Sequence, residues 1–519
     1  MSSRAGGVAA CGAAGRLLAV ADRTSPRTGG RRGRRRPSCL GVALAYLVLG
    51  AGAAAQAGQS ALATHRAASA VQQRVAALLA ELPADTRVGL YVADAADGGA
   101  WVMREPDVPL KPASVMKLFV TAAALARLGP DFAYRTRLYL LDGELLVQGS
   151  GDPALGDERV ARRHGRTPRA EFDDWAGALH ARGVTALRTI ALDDSIFDQE
   201  YRHPDWPADQ AQKWYQAPVG GINFNDNCLD VRYTAGNGQV LLTMQPELPA
   251  AFFTNRLRVD TRHAPVAQRR IDADVFEFVG TVARAGSFDP ISVGRPSVFF
   301  GHALAQALQR RGIAITGNVV RRRLAADALR DAELLDTRAT PLADVVWRCN
   351  TFSQNLFAEC LLKSLAAYAP DGRPSGVAGS WAGGVQVLEA TLRQLGLNLD
   401  GAVFRDGSGL SHRNRATARQ IVQLLLAMQH HAGGSVFIDS LADAGEAGTM
   451  RQQYGSAVLR GRLRGKTGTL AGVRSLAGYV DRPDGRTLAF ALLVEGTARP
   501  DWPRRLAEAL VASDARPAP

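Results

Sequence analysis

The amino-acid sequence predicts an α+β fold, in which an antiparallel sheet is flanked by helices and interrupted by a large inserted region. The chain opens with a helical pattern, a pair of strand patterns and a second helix, and it closes with three strand patterns and a helix. Between them, residues 138–291 mix short strands with turns. Helices and strands that do not alternate regularly favour an α+β fold over a parallel α/β sheet.

The first part of the main domain is predicted to run from residue 58 to residue 137. Its elements are a helix over 58–82, strands over 87–92 and 100–103, and a helix that begins near Ser114. Asp97-Gly98-Gly99 separates the two strand patterns and is a hairpin signal. The run that follows Ser114 is apolar nearly all round, which predicts a helix buried in a large core.

Residues 138–291 are interpreted as an inserted region of one or two mainly β subdomains. Short strand patterns and turn formers such as Asp142-Gly143 replace the long apolar helix that precedes them. The second part of the main domain is predicted to run from 292 to 519. Its elements include a helix through Ser353, a helix over 417–430, strands at Lys466, Leu476 and Leu488, and a helix over 502–511.

Ser114 and Lys117 form the first chemical pattern in the chain. Their spacing places a hydroxyl and an amine on one helical face, one turn apart. Apolar surroundings disfavour the charged form of an amine, so Lys117 is a candidate base for a serine nucleophile. Taken alone, an N-cap serine beside a lysine that reaches solvent is the alternative interpretation.

The use of lysine supports the catalytic interpretation. Only five of the 62 Lys and Arg residues are lysine: Lys111, Lys117, Lys213, Lys363 and Lys466. Arginine keeps its proton in proteins, whereas lysine can release it, so the lysines that remain are candidates for proton transfer. Two of them, Lys117 and Lys466, lie in motifs.

The first 57 residues have the order of a secretory signal peptide. An arginine-rich segment precedes an apolar run over 40–55 and the small residues Ala53–Ala57. We expect export to the periplasm or cell envelope, with cleavage near Ala55 or Ala57. An uncleaved anchor, with peripheral membrane association, is the alternative.

The composition predicts no cofactor, metal or nucleic-acid partner. Beyond the leader, Cys228, Cys349 and Cys360 are too few for a disulfide framework and lack the paired spacing of a zinc site. Much of the net charge of +13 lies in the leader, and no aromatic or Gly-rich nucleic-acid motif accompanies the remainder.

Three motifs follow one another along the chain: Ser114-Val-Met-Lys117, Ser353-Gln-Asn355 and Lys466-Thr-Gly-Thr469. This set is typical of serine β-lactamases and penicillin-binding proteins. Gly149-Ser-Gly-Asp-Pro153, Ala217-Pro218, Asn223-Phe-Asn-Asp-Asn227 and Asp406-Gly-Ser-Gly-Leu-Ser411 accompany it. Together these strings resemble the class C low-molecular-mass penicillin-binding proteins, the D-alanyl-D-alanine carboxypeptidase/endopeptidase family. One departure is Gln354, where that family usually has Asp.

The resemblance implies a serine β-lactamase/DD-peptidase-like domain that hydrolyses peptidoglycan peptides through an acyl-serine intermediate, with β-lactams as inhibitors. It implies catalytic roles for Ser114, Lys117, Ser353 and Lys466. It implies substrate binding by Asn355, Thr467, Gly468, Thr469 and Asp406. For Asp406, ordinary turn chemistry in Asp-Gly-Ser-Gly is an equal alternative.

Two other functions stay open from the sequence. A β-lactamase of the same fold needs an efficient deacylating water, and the chain lacks the Glu-x-x-Leu-Asn string that serves this purpose in class A enzymes. A catalytically silent cell-wall scaffold would not require Ser114, Lys117 and Lys466, all of which are present.

Overall fold

The computed structural model describes residues 65–270, 274–497 and 499–512. The expected signal peptide, residues 1–57, lies outside them. The helices are α1 (65–79), α2 (Met116–Leu128), α3 (Glu158–Arg163), α4 (Ala170–His180), α5 (Pro296–Arg310), α6 (Ala326–Asp331), α7 (Leu342–Phe352), α8 (Asn355–Ala367), α9 (Trp381–Gln394), α10 (Ala418–Gln429), α11 (Gly434–Asp439) and α12 (Trp502–Val511). The strands are β1 (Arg87–Asp94), β2 (Ala100–Arg104), β3 (Ala133–Leu141), β4 (Glu144–Gln148), β5 (Ala186–Asp193), β6 (Cys228–Gly236), β7 (Gln239–Gln245), β8 (Phe253–Val259), β9 (Ala264–Arg270), β10 (Val275–Val282), β11 (Gly286–Ser287), β12 (Ile291–Ser292), β13 (Ala314–Arg321), β14 (Glu333–Pro341), β15 (Ala442–Asp443), β16 (Leu463–Leu470), β17 (Val473–Asp481) and β18 (Thr487–Glu495).

A six-stranded antiparallel sheet joins the two ends of the main domain. Its strand order is β15-β16-β17-β18-β1-β2. The last strand pairs with the first, from Arg87 opposite Glu495 to Asp94 opposite Leu488. The hairpin and the C-terminal strands predicted from the sequence therefore lie in one sheet, as expected of an antiparallel α+β domain.

Both faces of this sheet are covered, because alternate residues of a strand point to opposite sides. Tyr91 and Ala93 join a core that contains α2, α8 and α10. Leu90 and Val92 join a second core with α1 and α12. Helix α2 is buried from Met116 to Leu125, which confirms the buried helix predicted after Ser114. Among the described residues, no helix combines the length and the apolar character needed to cross a bilayer.

The inserted region contains a mixed five-stranded sheet and two smaller sheets. The five strands are ordered β13-β5-β4-β3-β14, whereas β8, β9 and β10 form one small sheet and β6, β7, β11 and β12 the other. The return to the main domain is expected at residue 292 from the sequence, yet β13 and β14 pair with β5 and β3 of the insertion. Because α7 joins the main core directly after β14, we propose that the inserted region spans about 133–341.

The prediction of a single helix through the second motif is wrong, because the chain forms two helices there. Ser353 ends α7 with φ 61° and ψ 33°, which is the left-handed region. Gln354 is extended and caps the start of α8. A left-handed residue cannot continue a right-handed helix, so the motif lies at a sharp junction instead of on a helical face.

Candidate active site

The three motifs meet at a cleft of about 660 Å³. Ser114 comes from the 3-10 turn Ala113–Val115 before α2, Ser353 and Asn355 come from the α7–α8 junction, and the third motif lies on β16. The predicted residues on the cleft wall are Ser114, Ser353, Asn355, Thr467, Gly468 and Thr469. Lys117, Lys466 and Asp406 are fully buried behind it.

Lys117 points at Ser114, as their spacing predicted. Its Nζ lies 3.0 Å from Ser114 Oγ, 2.7 Å from Asn355 Oδ1 and 2.8 Å from the Ser408 carbonyl oxygen. A neutral amine has two N–H groups and one lone pair. With the two N–H groups donated to Asn355 and Ser408, the lone pair faces the Ser114 hydroxyl.

Burial favours this neutral form of Lys117. Removal from water disfavours the ammonium and lowers the pKa of Lys117 to about 8, although Cys349, Glu359 and Asp406 act in the opposite direction. An amine with a pKa near neutrality can accept a proton at physiological pH, which an ordinary lysine does poorly.

Lys466 occupies the matching place in the third motif. Its Nζ lies 2.8 Å from Ser353 Oγ and 2.7 Å from the Thr467 carbonyl oxygen. Burial lowers the pKa of Lys466 well below its ordinary value, and the nearby charge of Lys117 lowers it further. Ser114 and Ser353 are therefore each hydrogen-bonded to a buried lysine.

Strand β16 approaches the Ser114 turn so closely that only glycine fits at position 468. A Cβ on Gly468 would lie 2.1 Å from Ser475 Oγ and 2.9 Å from the Ser114 backbone nitrogen. Ser475 Oγ also donates to the Pro112 carbonyl oxygen at 2.7 Å, which ties β17 to the same turn. The backbone of Ser114 thus lies directly beside the third motif.

The two threonines of the third motif differ in their surroundings. Thr467 is partly buried and donates from Oγ1 to Thr449 Oγ1 at 2.9 Å. Thr469 is exposed near the end of β16 and lines the cleft. Both are accessible to a ligand held beside Ser114.

Asn355 connects the main domain with the inserted region. Its Oδ1 accepts from Lys117, and its Nδ2 donates to the Tyr215 carbonyl oxygen at 2.7 Å. Tyr215 and Trp214 also line the cleft. No sequence pattern pointed to this contribution of the inserted region to the cleft.

The surroundings of Asp406 do not match the substrate-binding role that the resemblance implied. Its carboxylate is fully buried and accepts hydrogen bonds from the backbone N–H groups of Gly409 and Ser411 and from the side chains of Asn414 and Trp206. The turn interpretation of Asp-Gly-Ser-Gly fits this environment, because the hydrogen bonds of the carboxylate go to groups of its own loop and to Trp206, and none is directed at the cleft.

Glu359 holds the same loop from the opposite side and was not predicted. Its carboxylate accepts from the backbone N–H groups of Gly407 and Ser408 and from Trp381 Nε1, at 2.7–2.9 Å. Burial, followed by the charge of Asp406, raises the pKa of Glu359 to about 7. Since the Ser408 carbonyl accepts from Lys117, the two carboxylates position a backbone group of the site.

Cys349 lies near both lysines. Burial raises the pKa of its thiol to about 12, so it stays neutral.

Throughout the described residues, no group of three or more His, Cys, Asp or Glu side chains is arranged to hold a metal ion.

Comparison with known proteins agrees with the motifs. Residues 71–516 match the family described as D-Ala-D-Ala carboxypeptidase 3 (S13). A D-alanyl-D-alanine carboxypeptidase of Actinomadura sp. (strain R39) is 30% identical over 513 residues, covering 91% of this chain and 89% of that protein. The D-alanyl-D-alanine carboxypeptidase DacB of Haemophilus influenzae is 24% identical and covers 75% and 81%, respectively.

The fold is likewise that of a known penicillin-binding protein. The crystal structure of penicillin binding protein 4 (dacB) from Haemophilus influenzae superposes with a TM-score of 0.68 at 21% identity, covering 84% of this chain and 97% of that one. The predicted α+β fold with a large insertion is confirmed. The family resemblance is confirmed as well, and the chain belongs to the D-Ala-D-Ala carboxypeptidase 3 (S13) family.

Proposed function

We propose that this protein is a serine DD-peptidase that hydrolyses D-alanyl-D-alanine peptides of peptidoglycan, as a carboxypeptidase, an endopeptidase or both. The observation that carries the proposal is the contact of Lys117 Nζ with Ser114 Oγ at 3.0 Å, in a setting that lowers the pKa of the amine to about 8. The family supplies the reaction class, and this contact supplies the activated nucleophile.

In the first step, Ser114 Oγ attacks the carbonyl carbon of the penultimate D-alanine and Lys117 Nζ takes the hydroxyl proton. The carbonyl oxygen becomes an oxyanion. We assign its stabilisation to the backbone N–H groups of Ser114 and Thr469, because the Ser114 nitrogen lies close to Gly468 and Thr469 follows Gly468 in β16. Each such donor is typically worth about 3–4 kcal/mol of barrier.

In the second step, the C–N bond breaks and the departing amine takes a proton. We assign this proton to Ser353 Oγ, which regains one from Lys466 Nζ at 2.8 Å. Microscopic reversibility then gives the same groups the task of activating water for attack on the acyl-Ser114 ester. The water proton passes through Ser353 to Lys466, and Lys117 returns its proton to Ser114 Oγ as the ester bond breaks. The cycle therefore consumes one water molecule, restores the Ser114 hydroxyl, and releases the new carboxylic acid and the departing amine.

Substrate recognition is assigned to the remaining cleft residues. Asn355 would hold the peptide on the acyl side. Thr467 and Thr469, with the positive end of Lys466, would bind the terminal carboxylate, and Gly468 would let the peptide approach β16. Of the residues that the resemblance implied for binding, Asp406 alone is given a loop-holding role instead.

β-Lactams fit the same scheme as inhibitors. Their strained amide would acylate Ser114, while the retained leaving amine would hinder the attacking water. A complex of a β-lactam with the Haemophilus influenzae penicillin binding protein 4 supports this part of the proposal.

The proposed substrate also suggests where the protein works. Peptidoglycan lies outside the cytoplasm, and residues 1–57 have the order of a signal peptide. We therefore place the protein in the periplasm or cell envelope, either free after cleavage or held peripherally at the membrane by an uncleaved leader.

Hydrolysis of defined peptides tests the proposal. The wild-type protein should release D-alanine from a stem pentapeptide, or monomers from a cross-linked dimer, as measured by liquid chromatography with mass detection. Ser114→Ala should do neither. If wild type leaves both substrates intact, the scaffold alternative replaces this proposal. Sustained nitrocefin turnover, instead of a burst of one equivalent, would indicate a β-lactamase.

A further inference from the structure

The residue between Ser353 and Asn355 makes contacts that the reaction scheme does not use. Gln354 is 5% exposed, so its side chain is not free in solvent. Its Oε1 accepts from the Asn355 backbone N–H at 2.9 Å, and its Nε2 donates to Asp226 Oδ2 at 2.7 Å. The side chain therefore joins the start of α8 to the inserted region.

Asp226 is itself held in a short polar chain. Its Oδ2 also accepts from Arg348 Nη2 at 3.0 Å, and Arg348 Nε donates to Asp157 Oδ2 at 2.8 Å. The Arg348 side chain is 8% exposed and that of Asp157 is 1% exposed. Buried ion pairs of this kind contribute fixed geometry more reliably than net stability.

The carboxylate of Asp226 accepts hydrogen bonds on only one of its two oxygens among the described residues. The side chain is 24% exposed as a whole, but its Oδ1 is buried and has no hydrogen-bond partner among the described residues. Burial and the neighbouring charge of Asp157 raise the pKa of Asp226 to about 7. The Gln354 amide and the Arg348 guanidinium are thus the donors that hold this carboxylate in the described part of the chain.

An amide suits both contacts of Gln354 at any pH, because it always offers one acceptor and one donor. Its oxygen must accept from the backbone N–H of Asn355, and its nitrogen must donate to Asp226. A carboxylate at position 354 would accept from Asn355 equally well, but once the pH is well above 7 and Asp226 has lost its proton, it would face Asp226 across a hydrogen-bond distance with no proton between them. Two carboxylates at that distance repel strongly in a buried site.

The position of Ser353 explains why such a hold matters. A non-glycine residue at φ 61° persists where its surroundings fix it. The residues that follow Ser353 are both anchored on the inserted region, Gln354 through Asp226 and Asn355 through the Tyr215 carbonyl oxygen.

We propose that Gln354 is a positioning residue, through which Asp226 of the inserted region fixes Ser353 and Asn355 at the geometry that acylation of Ser114 requires. This inference rests on the proposed roles of Ser353 and Asn355. It gives the inserted region a direct part in catalysis, because removal of the Asp226 contact would loosen the junction that carries both residues.

A polarity swap tests the proposal. At pH 9, well above the pKa of about 7 of Asp226, Gln354→Glu should lower the second-order rate constant of acylation by benzylpenicillin by about tenfold or more, because the junction moves away from the ionised Asp226. Asp226→Asn should have a smaller effect, since an amide oxygen can still accept from Gln354. The double variant should recover most of the lost rate, because an amide at position 226 can donate to a carboxylate at position 354.

The controls separate positioning from folding and from charge. Gln394→Glu makes the same chemical change at an exposed position and should acylate like wild type. Thermal midpoints should be recorded for every variant, together with kcat and KM on a D-alanyl-D-alanine peptide. Positioning predicts a fall in kcat that the double variant reverses, whereas a general folding defect would lower the midpoint and the fraction of active protein.

Two results would overturn the inference: a Gln354→Glu variant that acylates at the wild-type rate, or a double variant that is no faster than Gln354→Glu. Failure of the wild type itself to form an adduct would contradict the proposed function instead. The two failures are therefore distinguishable.

Discussion

Two lysines with no exposed surface lie in the candidate active site, and burial of both is unfavourable unless at least one loses its proton. Lys117 and Lys466 each hydrogen-bond a cleft serine, and each has a lowered pKa. An isolated buried ammonium is among the costliest groups in a protein interior. The same burial that makes these residues unfavourable for folding brings their pKa values down, so that both can exchange protons with the serine beside them.

The pH dependence of acylation should follow from the lowered pKa of Lys117. A base acts in its neutral form, so the acylation rate should rise with pH and level off above about 8. At pH 7 about a tenth of the maximal rate should remain. The profile can be measured by rapid quenching with benzylpenicillin and intact-mass detection.

Lys117→Arg is the matched variant for this profile. It keeps the positive charge, but arginine does not release its proton, so acylation should fall to the background level. A flat rate between pH 6 and 9, or an active arginine variant, would contradict the role of Lys117 as the base.

The sequence predicted the side chains that meet at the cleft but missed the groups that hold them. Ser114, Lys117, Ser353 and Lys466 carry recognisable chemistry at recognisable spacings. The Ser408 carbonyl that accepts from Lys117 belongs to the backbone, which every residue shares, so no residue type signals it.

Glu359→Gln tests the support of that carbonyl. Glutamine offers one oxygen to three N–H donors and turns its own NH₂ towards them, which leaves a buried donor unsatisfied at a cost of about 1–3 kcal/mol. We expect a lower thermal midpoint and slower acylation. Glu389→Gln, on the more exposed face of α9, should change neither quantity. Wild-type behaviour of Glu359→Gln would mean that the loop does not depend on this carboxylate.

At the scale of secondary structure, the contact between β16 and the Ser114 turn brings the motifs together. Gly468 leaves room for the Pro112 carbonyl oxygen and the Ser114 nitrogen, each of which a Cβ would approach to 2.9 Å. The strands themselves could be predicted, because apolar alternation and turn residues mark them. The distance between these strands and Ser114 could not be predicted, since it depends on strand pairing across the whole sheet.

Gly468→Ala should therefore separate β16 from the Ser114 turn. A displacement of about an ångström in a catalytic site can reduce the rate by about a hundredfold, and we expect acylation to fall on that order. The comparison is Gly177→Ala in α4, where an added Cβ meets nothing within 4 Å and acylation should be unaffected. Equal acylation by both variants would show that the close approach is dispensable.

The junction between α7 and α8 shows where local sequence patterns fail. Thr351–Glu359 has apolar residues at helical spacing, which favours one continuous helix. The break occurs at Ser353, a residue that carries no signal for the left-handed region comparable to glycine. The residues after the break contact the inserted region, and those contacts are distant in sequence.

At the scale of the whole molecule, the inserted region is a wall of the active site as well as a separate set of sheets. Tyr215 and Asp226 hold the second motif, and Trp206 donates to Asp406 beneath the cleft. The existence of the insertion could be predicted from the change in sequence texture near residue 138. The residue at which the chain returns to the main domain could not be predicted, because β13 and β14 pair with strands far earlier in the chain.

Asp152 should make the free energy of unfolding of the protein dependent on pH. Its buried carboxylate accepts from Thr340 at the end of β14, and burial raises its pKa to about 6. A raised folded-state pKa means that the folded protein binds the proton more tightly. This stabilising contribution is complete below the unfolded value near pH 4 and is lost as the pH rises through about 6.

Asp152→Asn removes this titration while keeping an acceptor for the Ala154 backbone N–H. The variant should gain stability relative to wild type between pH 4 and 7.5, by about 2–3 kcal/mol. Urea unfolding at both values measures the difference. A constant difference across this range would show that Asp152 does not titrate as its environment predicts.

Intact-mass spectrometry after brief exposure to benzylpenicillin tests the central claim most directly. Wild-type protein should gain the mass of one benzylpenicillin molecule and keep it, with the adduct mapped to Ser114 by peptide digestion, and Ser114→Ala should gain nothing. A wild-type protein without an adduct, or an adduct that persists on Ser114→Ala, would contradict acylation of Ser114 as the basis of this protein's activity.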